Sequence, residues 1–67
     1  MKLPVVLTAG EDGYIVAECP TLPGCMSQGK DEDEALRNIH DAIVGWFEAE
    51  AIKVERDSGR AVRLVEA

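Results

Sequence analysis

Between Cys19 and Cys25 the chain sets two prolines and a glycine within five positions, Pro20-Thr21-Leu22-Pro23-Gly24. Proline lacks the amide hydrogen that helices and interior strands require, and its ring fixes the backbone, so this stretch is neither. It is a sharply turning loop. It divides the 67 residues into a β-patterned first part and a second part in which helical spacing takes over. A chain of this length buries only about 60% of its unfolded surface, which leaves room for one core. Residues 1–67 are therefore expected to form a single domain. Small cores are supplemented by disulfides, by a structural metal or by association with other subunits, and association fits this sequence best.

Before the loop, Leu3 to Ala9 is apolar and β-branched, with Pro4 near its start, where a missing N–H is tolerated. It is predicted as the first strand. Val5, Val6 and Leu7 run together instead of alternating, so both faces of this strand are expected to be partly covered. Gly10-Glu11-Asp12-Gly13 supplies the residues of a tight connection, and Tyr14 to Glu18 resumes a strand, making a hairpin. After the loop, Met26-Ser27-Gln28 is just long enough for a third strand, which Gly29 ends.

At Asp31-Glu32-Asp33-Glu34 the period changes from two to 3.6, and Asp31 with Glu34 has the spacing of a helix cap with a reciprocal partner. The acids also suit the positive end of the helix dipole, which gives the run a sufficient structural reason. Leu36, Ile39, Ile43, Phe47 and Val54 fall on one stripe, with Val44 and Trp46 on its shoulders. Ala49 to Arg56 reads equally as helix or as alternating strand. A helix to about residue 56 is favoured, because Lys53 and Arg56 then occupy its last turn and Gly59 lies just beyond; the alternative is a second hairpin around Asp57-Ser58-Gly59. Ala61 to Val65 is β-rich and is predicted as a fourth strand. The fold class is α+β in the order β-β-β-α-β: a three-stranded antiparallel sheet, one long helix and a fourth strand.

The net charge of −6 is unevenly spread. Residues 10 to 50 carry ten carboxylates against Lys30 and Arg37, whereas beyond residue 50 Lys53, Arg56, Arg60 and Arg63 outnumber Glu55, Asp57 and Glu66. An acidic surface repels phosphate backbones, which argues against direct nucleic-acid binding by this chain and favours a basic protein partner. Leu3 to Leu7 is too brief for a signal-peptide core and no apolar run approaches a membrane span, so the cytoplasm, with both thiols reduced, is the expected location.

Catalytic chemistry finds no support. Paired carboxylates or metal ions need acids converging from different elements, and the first strand has none. His40, the one histidine, sits at the margin of the apolar stripe, and no spacing brings Cys19 or Cys25 to it. Two thiols and one imidazole leave a tetrahedral zinc site incomplete. The glycines punctuate turns and open no phosphate-binding helix. No cofactor, metal or catalytic residue is expected. Trp46 either finishes the core or lies in an interface, where tryptophan is enriched.

Asp12-Gly13-Tyr14-Ile15-Val16-Ala17, then Cys19-Pro20 and Leu22-Pro23-Gly24-Cys25, then Gly29 and Glu34-Ala35-Leu36-x-Asn38-Ile39-x-x-Ala42-Ile43 form an ordered, dense set. Over roughly residues 3 to 48 the chain resembles the HicB-like antitoxin family. The resemblance implies a partial RNase H-like arrangement of three strands, a helix and a further strand. It also implies a small basic HicA-like toxin partner, an mRNA-cleaving protein neutralised by covering its active site. Many members carry a C-terminal DNA-binding domain; this chain stops at Ala67, and none is expected here.

Two functions follow as expectations. One is an antitoxin-type inhibitor of a basic ribonuclease, with Glu11, Asp12, Glu32, Asp33 and Trp46 as candidate contacts. The other is an orphan self-assembling scaffold without a toxin, pairing through the first and fourth strands. A homodimer or higher oligomer is expected in either case.

Overall fold

Short β-rich runs bounded by glycine and proline can pair only with their neighbours in sequence, and they do so. In the computed structural model, which describes residues 2–66, β1 (Val6–Ala9), β2 (Ile15–Glu18) and β3 (Met26–Gly29) make an antiparallel sheet in the order β1-β2-β3. A turn of 3-10 helix at Glu11–Gly13 joins the first two. It closes because Asp12 (φ 62°) and Gly13 (φ 80°) both adopt left-handed backbone, and the Gly10 N–H donates to the Tyr14 carbonyl at 2.7 Å. Along the register Leu7 faces Ala17 and Ala17 faces Ser27, while Ala9, Ile15 and Gly29 share the row at one end.

The burial of β1 departs from expectation. Leu3, Val5 and Leu7 are half-buried while Val6 and Thr8 are exposed, so the apolar run does alternate. Only one layer, the helix, covers the sheet. The other face leaves Val6, Glu18 and Met26 in one solvent-facing row.

The helix α1 (Glu32–Ser58) starts where the cap chemistry places it. Asp31 Oδ1 accepts the Glu34 N–H at 2.8 Å, and Glu34 Oε1 accepts the Lys30 N–H at 2.9 Å, one residue upstream of the usual reciprocal bond. It ends at Gly59, whose φ of 68° lets its N–H turn back to the Glu55 carbonyl at 2.9 Å. The strand alternative for Ala49 to Arg56 is thereby excluded, and the helix runs two residues beyond the expected position 56. Its 27 residues span about 40 Å, three times the roughly 13 Å of a four-residue strand. The last turns of the helix overhang the sheet, and Val54, placed on the packing stripe by its spacing, is 49% exposed with nothing beneath it.

The core lies between α1 and the β2–β3 half of the sheet: Ala17, Cys19, Leu22, Cys25, Ala35 and Ile39 are buried, flanked by half-buried Leu7, Ile15, Ala42, Ile43, Trp46 and Phe47. Gly29 sets the approach of the two layers. A Cβ there would meet the Ala35 N atom and lie 2.8 Å from the Glu34 carbonyl carbon, so the helix backbone rests directly on this glycine. Across the same junction Asn38 Nδ2 donates to the Gln28 carbonyl at 2.8 Å, tying the helix to the outer strand.

The predicted fourth strand is absent among the described residues. Ala61 to Val65 leaves the helix cap without regular structure, with Leu64 57% and Val65 86% exposed. A β-prone segment becomes a strand only when a sheet edge accepts its hydrogen bonds. Here the helix overhang starts the tail away from the sheet, and it makes no ladder with β1 or β3.

Candidate protein-binding surface

Glu11 and Asp12 lie in the turn that follows β1, whereas Glu32 and Asp33 form the first turn of α1. The register brings these pairs together: Ala9, Ile15 and Gly29 make the last row of the sheet, and both acidic segments emerge beside it. All four carboxylates are exposed, and Asp31 adds a fifth at the same end. Among the described residues the ion pairs are His40 with Asp41 at 3.8 Å and Arg56 with Asp57 at 3.7 Å, so none of these five acids is neutralised by a salt bridge. The result is a concentrated negative end built from two elements distant in sequence.

Trp46, the fifth candidate, is not part of it. Its indole is half-buried at the other end of the sheet, where Nε1 donates to the Pro23 carbonyl at 3.0 Å, and its ring meets Phe47 edge-on at 5.4 Å. The tryptophan ties the Pro20–Gly24 loop to the helix. His40 is exposed beside Leu36 and Val44, the boundary position its spacing indicates. Among the described residues no group of three or more His, Cys, Asp or Glu side chains is arranged to hold a metal ion.

A second surface was not foreseen. The helix packs chiefly across β3 and less across β2, and its side toward Leu3 and Val5 faces an open groove of about 360 Å³. Leu3 and Val5 form one wall, Leu36, Ile43, Val44 and Phe47 the other, and Glu66 of the C-terminal tail reaches its rim. The apolar arc of the helix is thus wider than the sheet requires. Ala35, Ala42 and Trp46 pack on the core, Ile39, Ile43 and Phe47 both pack there and line the groove, and Leu36 and Val44 line the groove while exposed. The stripe read from sequence straddled core and groove, because a hydrophobic period reports an apolar arc but not which part of it meets a neighbour.

Comparison with known proteins bears on what these surfaces serve. The profile of the family described as HicB-like antitoxin of bacterial toxin–antitoxin system matches residues 3–65. The chain belongs to the HicB-like antitoxin family. Among the relatives of this HicB-like chain, a UPF0150 protein of Thermoplasma acidophilum is 43% identical over 67 residues, covering 96% of this chain and 97% of that protein. A UPF0150 protein of Archaeoglobus fulgidus is 38% identical over 66 residues, covering 98% and 94%, and one from Helicobacter pylori is 46% identical over 55 residues, covering 78% and 75%. No solved structure matches. Family membership assigns the HicB-like chain to toxin–antitoxin systems in general. No helix among its described residues is long and apolar enough to cross a membrane.

Proposed function

We propose that this HicB-like chain is a non-catalytic binding protein that neutralises a small basic HicA-like toxin in the cytoplasm by covering its active site. The observation that carries the reading is the gathering of Glu11, Asp12, Glu32 and Asp33 at one end of the sheet without salt-bridge partners. Such a patch attracts a cationic RNA-cleaving surface through space and competes with the phosphates that surface binds. Trp46 enters only as the latch of the neighbouring loop. Co-expression with a basic toxin of this type, followed by pull-down and an RNA-cleavage assay, tests the proposal directly. The Glu32→Lys, Asp33→Lys double variant should associate at least tenfold more slowly at low salt; an unchanged on-rate removes the electrostatic part.

A second reading, self-assembly without a toxin, is favoured by a separate observation. Leu64 and Val65 of the β-prone tail are exposed, Ala61–Val65 joins no strand, and the apolar groove beside β1 is open. The tail of one copy added to the β1 edge of another would supply a fourth strand, completing the partial RNase H-like arrangement that the family implies. Sedimentation distinguishes the outcomes: an oligomer that persists in the absence of any toxin supports this reading, and a monomer at high concentration overturns it.

A further inference from the structure

We infer that Cys19 and Cys25 form a built oxidation site, a cross-strand thiol pair positioned to close into an intramolecular disulfide. Just beyond the last ladder pair, Glu18 and Met26, the Cys19 N–H donates to the Cys25 carbonyl at 3.0 Å. The two residues therefore oppose each other directly. They also point the same way, because both share the face of buried Ala17 and join the same core cluster under the helix. Residues opposed across an antiparallel pair have Cα atoms about 4.5–5.5 Å apart, within the roughly 4.4–6.8 Å that a disulfide spans. Opposed Cβ atoms in such a pair stand about 4.5–5.5 Å apart, so closing the bond draws the two strand ends together toward the roughly 3.8 Å of a disulfide.

The surroundings decide which oxidant reaches the pair. Both thiols are buried, with Leu22 beside them, and burial together with the neighbouring Cys19 pushes the Cys25 thiol above its ordinary value. The loop above is tied by the Leu22 N–H to the Cys19 carbonyl at 3.1 Å and by the Cys25 N–H to the Leu22 carbonyl at 3.0 Å; the Trp46 indole holds Pro23 from the helix side. A bulky disulfide reagent is excluded, whereas a hydroperoxide is small and neutral. One thiol, deprotonated, attacks a peroxide oxygen to give a sulfenic acid and release water; the second attacks that sulfur, forming the S–S bond and expelling a second water. Two thiols and one hydrogen peroxide thus give one disulfide and two waters. The step waits on lifting of the Pro20–Gly24 loop, which the Trp46 bond opposes. The site lies at the end of the sheet away from the acidic patch.

The test is treatment of the full-length protein with hydrogen peroxide, followed by intact mass, alkylation after denaturation, and mapping of the peptide 3–30 that holds both cysteines. The expected product is a monomer lighter by two hydrogens, with no alkylatable thiol, restored by dithiothreitol. Sulfinic or sulfonic acid at separate cysteines, a bridge between chains, or two thiols still alkylatable would overturn the inference. Trp46→Phe, which removes the bond to Pro23, should raise the rate about fivefold, the equivalent of a hydrogen bond worth about 1 kcal/mol. If that variant does not fold, the wild-type rate should climb with sub-denaturing urea, and a rate indifferent to urea would overturn gating by the loop.

Discussion

Gly29 is the residue on which the two layers depend most directly. Its absent Cβ is the space in which the Glu34–Ala35 backbone sits, and helix backbone cannot swing aside as a flexible side chain can. Gly29→Ala should therefore destabilise by ~1–3 kcal/mol, an overpacking cost that chemical denaturation will read as a lower midpoint at unchanged slope. Cys25 adds a pH dependence. Because its thiol is pushed up by burial and then by Cys19, the folded chain keeps a proton that the unfolded chain releases. The associated stability is fully present below the ordinary thiol value of the unfolded chain and is lost as pH rises from there toward the folded value. Denaturation midpoints should fall more steeply across that alkaline window for the wild type than for Cys25→Ala; parallel curves would remove the assignment.

At the scale of elements, the helix is fastened at both ends by side-chain and backbone chemistry legible in its sequence. Asp31→Ala removes an acceptor that the Glu34 N–H uses at 2.8 Å and should cost ~1 kcal/mol, measurable as a lower thermal midpoint with helical content kept. Between the caps, the apolar arc makes a sharper prediction because its residues differ in what they touch. Ile39, 2% exposed, should cost ~2–5 kcal/mol when replaced by alanine, whereas Leu36→Ala, at the open groove, should cost under ~1 kcal/mol. Equal costs would mean the groove is filled in solution, as assembly through the tail requires. Pro20, Pro23 and Gly24 marked the loop in sequence, but the bonds by which the helix holds the loop and the outer strand, Trp46 to Pro23 and Asn38 to Gln28, had no local signal. Each joins residues separated by at least ten positions, and only the packing brings them together.

The whole molecule is elongated, 45 × 21 × 16 Å, with Glu11, Asp12, Asp31, Glu32 and Asp33 at one end of the sheet and a weakly basic tail after the helix. That distribution sets its behaviour toward partners. A toxin docking at the acidic end should bind with an on-rate that falls steeply as salt rises, since exposed charges are screened over about 8–10 Å at physiological ionic strength. Assembly through the tail is an apolar event and should resist salt. Leu64→Asp with Val65→Asp should return any toxin-free oligomer to monomer by sedimentation while leaving toxin association unchanged; loss of both would mean that the two surfaces are one.

Local chemistry was readable from the chain alone: strands bounded by Gly10–Gly13 and Pro20–Gly24, a helix opened by Asp31 and closed by Gly59, and the motif residues that carry the family likeness. Each of these depends on neighbours within a few positions, whose steric and hydrogen-bonding rules hold whatever surrounds them. The tertiary structure alone decided that Glu11 and Asp12 share one end of the sheet with Glu32 and Asp33 while Trp46 stands apart, and that Leu36 and Val44 of the helix's apolar arc are left exposed. It also decided that Ala61–Val65 forms no strand. A strand is a relation between two segments, and β propensity in one of them does not supply the edge that the other must offer.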